Sequence, residues 1–195
     1  EKKPGIGFEA DFCPSLWGGK DWPPAAYNPG TALLYIPVNE NLCGSILGRE
    51  VEYEPGRSFT GAESQMTVWP GAEHIGELQA WDMNTGEEVW TREFESPNWG
   101  PVLTTAGNLV FMGGTTDRNF RAFDARTGDQ LWEHGTNSGV IGVPSTYMID
   151  GVQYVAVQSG WGVDAASMTR RINRDLGTEI FVPEGGVIWV FALQN

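Results

Sequence analysis

Histidine and cysteine are scarce in this sequence: its 195 residues hold two of each, His74, His134, Cys13 and Cys43. No spacing among them suits a zinc site. Basic residues are also few. Twelve Lys and Arg stand against 25 Asp and Glu, a net charge of −13, which argues against a nucleic-acid-binding face, because that needs a basic patch. No run of about 20 apolar residues occurs, so no helix here spans a membrane. No signal peptide is visible, and no C-x-x-C-H motif offers a haem attachment. Helical periodicity hardly persists beyond two turns anywhere. What is abundant is glycine, at 26, and tryptophan, at nine. That composition suits many short strands joined by tight turns.

Two stretches organise the chain: Ala80-Trp-Asp-Met-Asn-Thr-Gly-Glu-Glu-Val-Trp90 and Ala122-Phe-Asp-Ala-Arg-Thr-Gly-Asp-Gln-Leu-Trp132. The second begins 42 residues after the first. A period of this size built on short apolar strands is that of β-propeller blades. Each residue of the motif has a physical reason. Ala80 and Ala122 let a neighbouring blade approach. Asp82 and Asp124 can accept from the amides of the following turn. Gly86 and Gly128 supply its positive φ. Trp90 and Trp132 are flat wedges, each with one N–H donor, suited to the space between blades. The expected fold is therefore all-β, about three propeller blades of four-stranded antiparallel sheets.

In chain order, strands are expected over 24–28, 33–39, 76–82, 88–93, 102–105, 109–113, 120–124, 130–134, 140–149, 153–158 and 187–193. Two stretches, 44–75 and 161–184, do not repeat and read as long loops, often functional or partner-facing. Within them, Arg170, Arg171 and Arg174 read as a solvated loop surface, with docking of an electron acceptor as the alternative. Asp164, Asp175 and Glu179 lack the tight spacing of a metal site and read as surface charge. Three blades leave open edges and no closed ring, and the chain starts and stops without caps. It therefore reads as one piece, 1–195, of a larger propeller domain. Cys13 and Cys43 flank the first strand pair, and a disulfide between them is the preferred reading, with two buried thiols the alternative.

Counting places Trp22, Trp99 and Ile141 at one structural position. Trp22 to Gly30 and Trp99 to Gly107 are both eight residues, and Trp99 to Ile141 is 42. This position precedes the innermost strand of each blade and faces the central axis, where propellers bind ligands. Trp17 and Trp161 either line a funnel to that axis or pack under a loop.

At these residues the sequence resembles the quinoprotein alcohol dehydrogenases. A-x-D-x-x-T-G-x-x-x-W is their tryptophan-docking motif. The resemblance extends through Cys13-Pro-Ser15, Gly18-Gly-Lys-Asp-Trp-Pro-Pro24, Asn98-Trp-Gly100 and Ser138-Gly-Val-Ile-Gly-Val-Pro144. It implies the C-terminal blades of an eight-bladed propeller using pyrroloquinoline quinone (PQQ) with calcium or a lanthanide. It also implies that Asp21, Trp22 and Trp99 contact the cofactor, and that Cys13 and Cys43 match a structural disulfide of methanol dehydrogenase. The implied chemistry is oxidation of an alcohol to an aldehyde or ketone, with electrons passed to a cytochrome c or similar acceptor in the periplasm. The family's catalytic base and metal ligands belong to earlier blades, so no catalytic or metal residue is assigned here. A reading from another class stands beside this one: a non-catalytic, protein-binding propeller like an outer-membrane assembly lipoprotein. Asp21 also has a plain structural reading, as the cap of the turn before its strand.

Overall fold

The computed structural model describes residues 3–57 and 60–193. The extreme termini read above, and residues 58–59 of the first non-repeating stretch, lie outside this range. Fourteen strands and one α-helix occur among the described residues, in four antiparallel sheets.

Three of the sheets are successive blades. The first runs β2 (Ala26–Asn28), β3 (Leu33–Asn39), β6 (Gly76–Asp82) and β7 (Glu88–Phe94). The second runs β8 (Val102–Thr104), β9 (Leu109–Met112), β10 (Asn119–Asp124) and β11 (Gln130–Gly135). The third holds β12 (Ser145–Ile149), β13 (Val152–Ser159) and β14 (Val187–Ala192), three strands among the described residues. In the first two blades each motif spans the third strand, the turn and the fourth strand. Asp82 accepts the N–H of Asn84 at 2.7 Å, and Asp124 that of Arg126 at 2.7 Å. Gly86 and Gly128 turn at φ of 72° and 71°.

Blades are joined as the motif demands. The indole of Trp90 crosses into the second blade, where its Nε1 donates to the Ala125 carbonyl at 3.1 Å. The Tyr35 hydroxyl donates to the same carbonyl at 2.9 Å. A Cβ on Gly128 would stand 2.6 Å from the Trp90 ring. The glycine of one motif is thus the platform for the tryptophan of the preceding one. Leu33, Leu78, Val102, Val110, Met112 and Phe123 fill the rest of this interface. Between the second and third blades, Phe111, Phe120, Val155 and Val157 form the core. There Trp132, 37% exposed, meets the Phe191 ring of β14 at 4.9 Å.

The two non-repeating stretches are not loops alone. Between β3 and β6 the chain forms β4 (Leu42–Gly48) and β5 (Ala62–Val68), which pair with β1 (Glu9–Phe12) in the fourth sheet, order β1-β4-β5. Between β13 and β14 it forms α1 (Val163–Leu176), where a loop was expected. The helix has Asp164 in its first turn, Arg174 in its last, and a left-handed glycine, Gly177, as its stop. Its apolar face carries Ala165, Ala166, Met168 and Ile172. A further correction concerns the start of the third blade: β12 begins at Ser145, and Val140 makes only an isolated bridge to Gly160.

The helix covers the small sheet. Ile172 packs on Leu42 and Met66. β5 is an edge strand, and Asp175 satisfies its Met66 N–H at 2.8 Å. Arg171 reaches the Ser64 hydroxyl, and Arg174 donates to Asp175 at 2.6 Å. Asp175 is therefore a buried latch, its side chain 5% exposed, and not surface charge. Burial pushes its carboxyl up, but hydrogen bonds from Arg174 and the Met66 amide, with the charges of Arg174 and Arg171, hold it below the usual carboxylate range. A depressed carboxyl contributes stability that is present above its unfolded value, about 3.9, and is lost as pH falls through the folded value. Asp175→Asn is expected to destabilise the protein by about 1–3 kcal/mol at neutral pH. In thermal melts the gap to wild type should close below roughly pH 4. A gap that stayed constant down to pH 2 would exclude the latch.

Candidate functional site

The disulfide forms. Cys13 and Cys43 are bonded with their Cα atoms 4.5 Å apart. The bond fastens β4 to the segment that leads into the first blade. Between Cys13 and β2 the chain turns at Gly18, with φ of 72°, and presents Lys20, Asp21 and Trp22. Asp21 Oδ1 accepts the Trp22 N–H at 2.8 Å, and Lys20 Nζ donates to the Asp21 carbonyl at 2.7 Å. The local capping role of Asp21 is thus present, and the residue is only half-buried. Trp22 is 49% exposed.

Trp99 lies differently. It is 2% exposed, below α1, with Trp161, Ala165, Ala166 and Val182 around it. Trp17 meets it edge-on, ring centroids 5.1 Å apart. Trp17 and Trp161 are the indoles that share this cluster with Trp99. Trp161, left open in the sequence, belongs to the same cluster. Its Nε1 donates to Thr169 Oγ1 at 2.9 Å, and its N–H to Ser138 Oγ at 2.9 Å.

The strand ladders test the axial count. Ala26 faces Tyr35, which faces Ala80. Leu103 faces Phe111, which faces Ala122. Tyr147 faces Tyr154, which faces Ala192. Ala26, Leu103 and Tyr147 are therefore equivalent, at intervals of 77 and 44 residues. The first interval is that of Trp22 to Trp99, so those two occupy equivalent places before their inner strands. The second is not the 42 counted to Ile141. The two additional residues lie between the second motif and the third blade: Trp90 to Leu103 is 13 residues, and Trp132 to Tyr147 is 15.

Backbone packing around Trp99 is unusually close. A Cβ on Gly100 would overlap Gly113, one on Gly114 would overlap Gly100 and Trp99, and one on Gly76 would overlap Ser96 and Asn98. Beside the aromatic cluster lies an open cleft of about 570 Å³. Trp161 and Glu184 line it, and Gly142, Gly160, Gly162, Gly185 and Gly186 give it bare backbone. The cleft is open to solvent, and none of Asp21, Trp22 and Trp99 lines it. No group of three His, Cys, Asp or Glu side chains able to hold a metal ion occurs among the described residues.

Blades stitched by a tryptophan reaching the next motif define a stretch of β-propeller. Comparison with known proteins narrows this. Residues 91–155 match the PQQ glucose/ethanol/alcohol dehydrogenase β-propeller domain. The chain is 42% identical over 195 residues to the quinoprotein alcohol dehydrogenase PedH of Pseudomonas putida, covering 97% of this chain and 31% of that protein. It is 36% identical over 196 residues to the lanthanide-dependent methanol dehydrogenase of Methylorubrum extorquens, covering 94% and 32%. A europium-containing methanol dehydrogenase superposes with a TM-score of 0.84 at 34% identity, over 99% of this chain and 36% of that one. The chain belongs to the quinoprotein alcohol dehydrogenase family. It spans about a third of the length of these relatives.

Proposed function

We propose that this chain is a section of a PQQ-dependent alcohol dehydrogenase and supplies one side of its cofactor chamber. The observation that carries this reading is the correspondence over 97% of the chain to a quinoprotein alcohol dehydrogenase. The sequence relatives favour an enzyme over the protein-binding scaffold. Asp21 and Trp22 present their exposed sides to the cofactor's polar edge, and Lys20 places a cation beside them. Trp99, enclosed by Trp17 and Trp161, forms the packed wall behind. Bound there, PQQ would supply a two-electron acceptor for an alcohol. The residues of this chain orient it and exclude water from one side. Calcium or a lanthanide would be held by residues outside this chain, as would the base. Electrons would leave to a cytochrome c or similar acceptor, and the remaining blades would complete the ring. The disulfide fits an oxidising compartment such as the periplasm.

The test is a titration of the intact apoprotein with PQQ, in calcium or lanthanum, followed by quenching of indole fluorescence. Asp21→Ala and Trp22→Ala are each expected to weaken binding about tenfold, or about 1.4 kcal/mol. Alcohol-dependent dye reduction by the loaded wild type completes the test. No binding and no dye reduction under both metals would sink the reading.

A further inference from the structure

The loop bearing Asp21 and Trp22 belongs to the first blade, and Trp99 opens the second. One chain of buried hydrogen bonds joins them. The Asn39 N–H donates to the Gly19 carbonyl at 2.7 Å. Asn39 Oδ1 accepts the Asn98 N–H at 2.8 Å. Asn98 Oδ1 in turn accepts the Gly100 N–H at 2.9 Å, which closes a tight turn around Trp99. The Asn98 amide donates to the Glu77 carbonyl at 2.7 Å and contacts Met112 Sδ at 3.1 Å. Asn39 is 2% exposed and Asn98 1%. Below them, Gly76 leaves no room for a side chain against Ser96 and Asn98.

Buried polar groups paired in this way, the Asn39 backbone N–H and Oδ1 and the Asn98 side-chain amide, fix a geometry, because displacement leaves a group unpaired in a dry interior. The bridge runs to Gly19, two residues before Asp21, and to Asn98, one before Trp99. The geometry points to Asn39 as a positioning residue. It sets the Asp21–Trp22 loop against the Trp99 wall and so fixes the width of the cofactor chamber. Asn39 touches no ligand itself and acts through the two segments it joins. This rests on the reading of Asp21 and Trp22 as cofactor contacts.

The experiment uses the intact apoprotein and the PQQ fluorescence titration, with the melting temperature measured in parallel. Asn39→Leu keeps the side-chain volume and removes the acceptor for Asn98. It is expected to weaken PQQ binding at least tenfold at temperatures where the variant is fully folded. Asn39→Asp keeps the acceptor and is expected to retain affinity within threefold, even if it melts lower. If Asn39→Leu does not accumulate as folded protein, Asn39→Ser, whose hydroxyl is too short for the bridge, carries the same expectation. Equal losses in the acceptor-free and acceptor-keeping variants would reduce Asn39 to packing and overturn the proposal. Unchanged affinity in Asn39→Leu, with Asp21→Ala and Trp22→Ala weakened, would also overturn it and leave the cofactor reading standing. Unchanged affinity in Asp21→Ala and Trp22→Ala would remove the cofactor reading and this proposal with it.

Discussion

Trp90→Ala is expected to lower the unfolding free energy by about 3–5 kcal/mol, the range for emptying a large aromatic site in a packed core. Three losses combine. The indole fills the space between Tyr35 in the first blade and Gly128 in the second, with the Tyr35 and Trp90 ring centroids 5.7 Å apart. Its N–H is one of two donors to the Ala125 carbonyl, and the Tyr35 hydroxyl would be left alone there. The cavity would open between two rigid sheets, which cannot collapse onto it as a flexible surface would. Trp90→Phe separates the terms. It keeps much of the volume and loses the donor, so it should give up less than half as much. Chemical denaturation of both variants is the measurement. A loss below 1 kcal/mol for the alanine variant would mean that the tryptophan does not dock the blades.

Gly114→Ala is expected to destabilise by roughly 2–6 kcal/mol, from two independent sources. Gly114 has a φ of 89°, where a side chain is strained. Its Cβ would also overlap Gly100 and the Trp99 backbone, and backbone cannot rotate aside. Gly86 is the control, since it has a φ of 72° but nothing within 4 Å of the added carbon. Gly86→Ala should show strain alone, about 1 kcal/mol. Equal effects at the two glycines would refute the close crossing beneath Trp99. The near-ultraviolet circular dichroism of Gly114→Ala should change as well, because Trp99, Trp17 and Trp161 share one packed cluster.

The blades were legible because their determinants are local and repeated. Asp, Thr-Gly and Trp recur at fixed offsets, and each does in space what its chemistry suggests. The bond between Cys13 and Cys43 was also within reach. The helix α1 was missed although its signs were present: Ala165, Met168, Ile172 and Leu176 share a face, and glycines bound it. Three arginines in one stretch suggested solvent instead. What no local pattern contains is the helix's target, since Asp175 and Met66 are 109 residues apart. The Asn39–Asn98 bridge was invisible for a similar reason. A side chain that binds another segment's backbone leaves no period and no partner residue type to find. The misplaced Ile141 came from carrying the 42-residue spacing of the motifs over to the inner strands, although Trp132 to Tyr147 is two residues longer than Trp90 to Leu103.

The contact between α1 and β5 also bears on the order in which the molecule can be built. In most stacked repeats each unit leans only on its neighbours and can settle as it is made. Here a helix emitted within the third blade roofs a sheet emitted within the first. During synthesis, the faces of Leu42 and Met66 lack their cover until Ile172 has left the ribosome. The first blade's appendage is thus completed only while the third blade is being made, so these blades do not finish strictly in sequence.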